Sequence, residues 1–321
     1  MNDVKKVILL TTGGTIQSKP NESSGRLTSG AMSGEELAAH CDLPNDIQIK
    51  IDSILQKPSM HIHSKDWLNI KEKIEAYFED DTVSGIVITH GTDSLEEFAY
   101  FLDLTIKDHR PIVVTGSQRS IADLGSDVFI NLRHAIYAAC HEDLENVGTV
   151  VVFNERIFTA KYVKKEHASN IQGFNSFGFG YLGIIDNDQV FIYQKPIKRE
   201  YYDIKSELPR VDIVKCHTDG DGVLIDALIK AGAKGIIIEG VGRGQVPPKM
   251  VPAIKRSIKK GIVIVITTSS EEGKVFPTYD YEGSAYDLIN QGVLLGGDED
   301  SKKARVKLSV MLAANETEFH F

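Results

Sequence analysis

The sequence predicts an α/β protein of two doubly wound domains, a larger N-terminal and a smaller C-terminal one, on mainly parallel sheets. Three observations carry that prediction. Short runs rich in valine and isoleucine recur at strand length, longer amphipathic segments separate them, and the alternation breaks once before starting again. A continuous apolar run reads as a strand covered on both faces, because a strand with one wet face alternates instead. Strand and helix in alternation build a doubly wound sheet.

KKVILLTT at 5–12, GIVITHG at 85–91, RPIVVTGS at 110–117 and GTVVVFN at 148–154 are the strands expected in the first domain. SKDWLNIKEKIEAYFED at 64–80 and SLEEFAYFLDLTI at 94–106 carry helical periodicity between them. From 194 to 212 the rhythm fails: the stretch is charged, holds Pro196 and Pro209, and shows neither period. It is expected to be a linker between an N-terminal domain at 1–193 and a C-terminal one at 213–321. Beyond it VDIVKCH, KGIIIEG and IVIVITTSS alternate with GVLIDALIKAG and KMVPAIKRSIKKG, which restarts the pattern.

A chain of 321 residues with 42% hydrophobic and 25% charged residues is that of an ordinary globular protein. Its net charge of −9 argues against a nucleic-acid or anionic-membrane surface, since phosphate binding needs a basic face. Cys41, Cys140 and Cys216 are scattered without a CxxC, and Cys140 in AIYAACHE reads as a small core residue. The apolar run near the N-terminus is about five residues, short of a signal-peptide core, and no run approaches a membrane helix of roughly 20. A cytoplasmic location is the expectation.

TTGGTIQS at 11–18 follows the first apolar run directly. A glycine pair there marks a turn or a backbone that something approaches closely. THGTDS at 89–94 and TGSQR at 115–119 are two more hydroxyl-bearing turns after strands, where open α/β sheets bind their ligands. A purely structural reading competes: Asp93 or Ser94 caps the next helix, and Ser94-x-x-Glu97 is a capping box. Capping explains one small polar residue but not Gly91, Thr92 and Asp93 together.

Nucleotide cradles are not matched. TTGGT lacks the Gly-Lys-Ser/Thr of a phosphate loop, and GVGRGQV at 240–246 has Gln245 where the last glycine of GxGxxG belongs. His61 and His63 form a surface pair without a third ligand at metal spacing. No metal and no organic cofactor are expected.

Taken together, TTGGTI, ITHGTDSLEEFAYFLDL and PIVVTGSQR resemble the bacterial-type L-asparaginase family. The likeness continues through GTVVVFNERIFTAKYVKK, GVGRGQVP and KKARVKLSVMLA, and so spans essentially the whole chain. It implies hydrolysis of L-asparagine to L-aspartate and ammonia, through a threonine nucleophile and a covalent acyl-enzyme. By motif the nucleophile is Thr15, assisted by Thr92, Asp93 and Lys165. From the residues alone, Lys161, Lys164 and Lys165 would read as a solvated charge run; the resemblance singles out Lys165. Asp93 is also implied to hold the substrate's α-ammonium. Ser59, eight residues before Trp67, is implied at the α-carboxylate, with Met60 beside it where secreted relatives often carry glutamine. Gly91 and the backbone of Ser117 complete the implied substrate contacts within the first domain.

The family's sites lie between subunits, which implies a homo-oligomer, a dimer or a dimer of dimers. Gln245 stands at a neighbour-subunit position, and a small-domain carboxylate is either Asp280 or Glu282. One departure stands out. Secreted members place a catalytic tyrosine about a dozen residues after the nucleophile, and the matching loop has Leu27, which can neither donate nor accept a hydrogen bond. The polar, glycine-bearing loop QSKPNESSGRLTSG has the composition of a mobile lid. Two alternatives remain beside an asparaginase: a mixed glutaminase-asparaginase, and a catalytically inactive amino-acid-binding module that the loss of the tyrosine would leave. An amidase subunit of a tRNA-charging assembly is disfavoured, because such relatives carry an extra N-terminal domain and the first strand here begins near residue 4.

Overall fold

The structure is a computed structural model and describes residues 4–321; residues 1–3, where the predicted first domain begins, lie outside the described residues. The chain divides into two compact units, Met1–Tyr201 and Tyr202–Phe321.

The first unit is built on one eight-stranded sheet. Its strands are β1 (Lys5–Thr11), β2 (Ile47–Ser53), β3 (Val83–Thr89), β4 (Ile112–Thr115), β5 (Thr149–Phe153), β6 (Arg156–Thr159), β7 (Gly183–Asp186) and β8 (Gln189–Ile192). Across the sheet they run β8-β7-β6-β5-β4-β3-β1-β2. The pairs from β2 to β5 are parallel, while β5–β6, β6–β7 and β7–β8 are antiparallel. Val7 to Leu10, Ile86 to Ile88 and Val150 to Val152 are wholly buried, as their unbroken apolar runs require.

The antiparallel edge is a feature that the strand–helix reading does not contain. Two hairpins make it. Asn154 and Glu155 (φ 48° and 63°) turn β5 into β6, and Asn187 and Asp188 (φ 48° and 60°) turn β7 into β8. Two successive residues at positive φ form the turn whose twist matches a hairpin, and asparagine and aspartate tolerate it better than most. The strand β2 was also absent from that reading: IQIKIDS alternates, as a half-exposed edge strand should, instead of running apolar throughout.

Four helices cover the sheet: α1 (Gly34–Ala39), α2 (Ser64–Phe78), α3 (Leu95–Thr105) and α4 (Val128–Ala139). On α2 the buried residues are Trp67, Ile70, Ile74 and Phe78, three or four apart, and Trp67 rests on Phe101 of α3 at 5.4 Å between ring centroids. Asp66 holds the His63 amide at 2.9 Å, which satisfies a donor at the start of α2.

The second unit carries a four-stranded parallel sheet, β9 (Val211–Lys215), β10 (Gly235–Gly240), β11 (Val263–Thr268) and β12 (Leu294–Leu295), in sequential order. Its helices are α5 (Val223–Lys230), α6 (Val251–Lys259), α7 (Ala285–Asn290) and α8 (Ser301–Ala313). Side chains on β10 alternate between two cores. Ile236 and Ile238 pack with α5 and α6, and Ile237 packs with Ala304 and Leu308 of α8. Helices on both faces make this sheet doubly wound.

The stretch 194–212 has no regular structure before β9, and it is pinned. The Arg199 guanidinium donates to the carbonyls of Ile106 and Asp108, just beyond α3, and lies 3.6 Å from the Asp103 carboxylate. Further on, the Lys205 amide donates to Ala313 O at 2.8 Å. The division between units, after Tyr201, falls within this stretch.

Cys140 is half-buried against the first unit's core, and Cys41 and Cys216 are buried. Burial pushes their thiols up, to about 11 for Cys41 and Cys216 and about 12 for Cys140, so none is a thiolate at neutral pH.

In α8, the Lys307 side chain is 1% exposed and pairs at 3.1 Å with the side chain of Glu299, which is 0% exposed. Breaking a buried pair strands a charge, so Glu299→Ala is expected to cost about 3–5 kcal/mol in urea unfolding. Replacing both partners with apolar residues of similar size is expected to restore most of that loss.

Candidate active site

The site is assembled where β1, β3 and β4 end. Past β1, the Thr12 amide and hydroxyl both donate to Thr89 O, at 3.2 and 2.8 Å, and tie the end of β1 to the end of β3. The glycine pair then lets three backbones meet. Gly13 (φ 104°) sits where a Cβ would lie 2.5 Å from Lys57 O, and Gly14 (φ 82°) where a Cβ would lie 2.5 Å from Gly91 Cα. Positive φ and contacts that close admit only glycine at both positions. Thr15 follows at once, half-buried, opening a single 3-10 turn over Thr15–Gln17. The turn bearing Thr15 is thus pressed against the turn bearing Gly91 and Thr92.

In that second turn Thr92 is 6% exposed, and its hydroxyl donates to Gln118 Oε1 at 3.3 Å. Lys165 reaches the same turn from a short pairing of Lys164–Lys165 with Phe174–Asn175. Its Nζ donates to Thr92 Oγ1 at 2.8 Å and to Asp93 Oδ1 at 2.7 Å. The Lys165 side chain is 13% exposed against 64% for Asp93, so the lysine is not part of a solvated charge run. Its backbone is fixed as well, because the Lys165 amide donates to the carboxylate of Glu96, a wholly buried residue on α3.

The capping explanation of THGTDS does not hold. Ser94 precedes α3, yet its side chain caps nothing; its hydroxyl donates instead to Ser59 O at 3.1 Å. That bond draws in the segment carrying Ser59, which is 5% exposed and so close to Gly91 that a Cβ there would meet Ser59 Cβ at 2.8 Å. Met60 points outward and is 68% exposed. Ser117, wholly buried after β4, donates its hydroxyl to Arg119 O at 2.7 Å. The first unit therefore brings Thr15, Ser59, Gly91, Thr92, Asp93 and Lys165 into one neighbourhood of turns. Leu27 is 49% exposed on a small hairpin pairing Lys19–Pro20 with Leu27–Thr28.

Gln245, Asp280 and Glu282 belong to the second unit. Gln245 closes the turn after β10, where the amides of Gly244 and Gln245 both donate to Val241 O at 3.0 Å. Those donors are consumed inside the turn and are not displayed to a phosphate, in keeping with the failed GxGxxG match. Gln245 Oε1 is buried without a hydrogen-bond partner among the described residues, while Asp280 and Glu282 are exposed. His61 and His63 are exposed, and among the described residues no group of three or more His, Cys, Asp or Glu side chains could hold a metal ion.

Three contributing residues escape a reading of the sequence: Glu96, Gln118 and His90. The first two act on partners far away in the chain. His90 lies within a quoted motif, but nothing local says that it is wholly buried. Its Nδ1 is 2.8 Å from Gly91 O, so Nδ1 carries the proton, and its ring stacks on Phe98 at 4.7 Å. Burial pushes the His90 pKa down to about 4 from 6.5.

The unfolded chain takes up that proton below pH 6.5 and the folded chain only near pH 4, so stability falls as pH drops through this window. The expected slope from His90 is about 1.4 kcal/mol per pH unit. Urea unfolding at pH 7 and pH 4.5 measures it, and His90→Gln is expected to lower the acid sensitivity by that one proton. Equal acid losses in both proteins would refute the assignment.

Two family models cover the chain: asparaginase, N-terminal, over residues 6–198, and the glutaminase/asparaginase C-terminal domain over 210–319. An L-asparaginase from Bacillus licheniformis is 60% identical over 310 residues, 97% of this chain and 96% of that one. L-asparaginase 2 of Bacillus subtilis (strain 168) is 34% identical, over 98% of this chain and 84% of its own. A glutaminase-asparaginase from Pseudomonas fluorescens biotype A is 31% identical, over 97% and 87%. Among solved structures, a probable cytoplasmic L-asparaginase from Campylobacter jejuni superposes with a TM-score of 0.87 at 31% identity, covering 98% of this chain and 96% of that one.

Proposed function

The chain belongs to the bacterial-type asparaginase family, and from that premise we propose that it hydrolyses L-asparagine to L-aspartate and ammonia with Thr15 as nucleophile. The observation that carries the assignment of roles is the contact of Lys165 Nζ with both Thr92 and Asp93, beside the turn that holds Thr15. Thr15 Oγ1 attacks the side-chain amide carbon and loses its proton to the Thr92–Lys165 pair. The pair hands that proton to the amide nitrogen, the C–N bond breaks, ammonia leaves, and the acyl-enzyme ester remains on Thr15. A water then attacks the ester, L-aspartate departs, and the threonine proton is restored. A bare hydroxyl attacks an amide poorly, so the reaction needs this base.

Asp93 serves both ends of the exchange: it orients Lys165 and, being largely exposed, has a carboxylate oxygen to offer the substrate's α-ammonium. Ser59 binds the α-carboxylate next to Met60, and Gly91 and Ser117 line the reacting amide. Gln245 and either Asp280 or Glu282 come from a neighbouring copy, which makes the working enzyme a homo-oligomer, a dimer or a homotetramer. A cytoplasmic setting fits the Campylobacter neighbour; among the described residues no helix is long and apolar enough to cross a membrane.

A mixed glutaminase-asparaginase is the second reading, favoured by the Pseudomonas relative and by the apolar, exposed Met60. One methylene is discriminated by only about 10- to 200-fold in an apolar pocket. Ammonia release from L-asparagine and L-glutamine by the purified protein decides between the two readings. Tight asparagine binding without turnover would leave the inactive binding module instead.

A further inference from the structure

We propose that Ser29 is a positioning residue for Thr15, its hydroxyl linking the small hairpin to the backbone on which the nucleophile sits. The inference rests on the reading of Thr15 as nucleophile. Ser29 follows the returning arm of the hairpin directly, two positions after Leu27. Its Oγ accepts the Gly14 amide at 2.8 Å. Gly14 is buried, with φ 82° and ψ −176°, a conformation that belongs to glycine almost alone and persists only when its surroundings hold it. Its carbonyl is held too, by the Gln17 amide at 3.2 Å and the Ser18 hydroxyl at 2.8 Å. Thr15 hangs from that residue by one peptide bond.

The tie is made at the root of the hairpin and not at its tip. Gly30 (φ 71°) is wedged where a Cβ would lie 2.6 Å from Gln56 Cβ. Two residues on, Met32 exchanges backbone and side-chain bonds with Gln17, each at 3.0 Å. The arm that carries Ser29 is therefore anchored on its far side while its near side leads into the exposed hairpin. A hairpin that lifts takes Ser29 off Gly14 and removes the only described acceptor of a buried amide; a hairpin that closes restores it. Where Leu27 offers no hydrogen bond to the nucleophile, Ser29 sets the nucleophile's placement through the backbone. Lid position and Thr15 geometry become one equilibrium.

The test compares Ser29→Ala and Ser29→Thr with the unaltered enzyme in steady-state asparagine hydrolysis, beside Thr15→Ala. Misplacing a nucleophile costs rate and not substrate affinity. Ser29→Ala is therefore expected to lower kcat by about 10- to 100-fold with KM changed by less than about threefold. Ser29→Thr keeps the hydroxyl and is expected to recover most of the rate. If Ser29→Ala does not fold, Ser29→Cys, similar in shape but a weak acceptor, is read on the same scale. Unchanged kcat in the folded variant, or a loss that Ser29→Thr repairs no better than Ser29→Ala, overturns the role while Thr15→Ala stays inactive. Activity that survives Thr15→Ala overturns the nucleophile itself, and the role of Ser29 with it.

Discussion

Thr15→Ala is expected to release ammonia from L-asparagine at least about 10⁴-fold more slowly than the unaltered chain, with little change in folding. The size follows from what the residue does. No covalent intermediate can form without its oxygen, and the remaining groups are arranged to activate that oxygen and not a water. Stability should hold because Thr15 is only half-buried at the start of a 3-10 turn, and that turn is kept by other contacts: the Gly13 amide on Gln17 Oε1 at 2.9 Å and the Ser18 hydroxyl on Gly14 O at 2.8 Å. The measurement is kcat for ammonia release beside a urea midpoint. A folded Thr15→Ala with more than a hundredth of the original kcat would transfer the nucleophile to another residue, Thr92 being the first to examine.

The second large effect is expected at Lys165. Lys165→Met keeps most of the side chain's volume and removes its amine, and a positioned base is worth about 10²- to 10⁴-fold in rate. Arginine should not rescue it, because a guanidinium does not give up its proton under these conditions. Asp93 should tolerate the loss structurally, since at 64% exposure its carboxylate is solvated without the lysine. The KM for asparagine then separates two roles. Lys165→Met should fall mainly in kcat, whereas Asp93→Asn, which weakens the hold on the α-ammonium, should raise KM as well. Near-normal kcat in Lys165→Met would make the 2.7 Å contact with Asp93 a structural ion pair only.

The two predictions differ in how legible their residues are. Thr15 stands in a five-residue stretch whose glycines already announce close backbone contact, and the structure supplies the contacts, Lys57 and Gly91. Lys165 has no such local mark. It sits among other lysines in a charged run, and only its motif distinguishes it. Its partner Thr92 lies 73 residues away in the chain, and Glu96, which fixes its backbone, lies 69 away. The same distance problem explains the capping box at Ser94. The pattern is correct as local chemistry, but a carbonyl 35 residues upstream competes for the hydroxyl and wins it.

The sequence by itself determined the buried parallel strands, the helices α2, α3, α5 and α6 among them, and the glycine-threonine turns that end β1 and β3. These are local consequences of burial and of backbone freedom: a strand covered on both faces must be apolar throughout, and a backbone packed against another must lack a side chain. Only the tertiary structure decided the alternating edge strand, the antiparallel hairpins on Asn154 and Asn187, and the settings of Lys165, Glu96, His90 and Ser29. A hydrogen bond or a buried ring is a relation between distant segments. The residues that enter it look, one at a time, like any other polar residue at a surface.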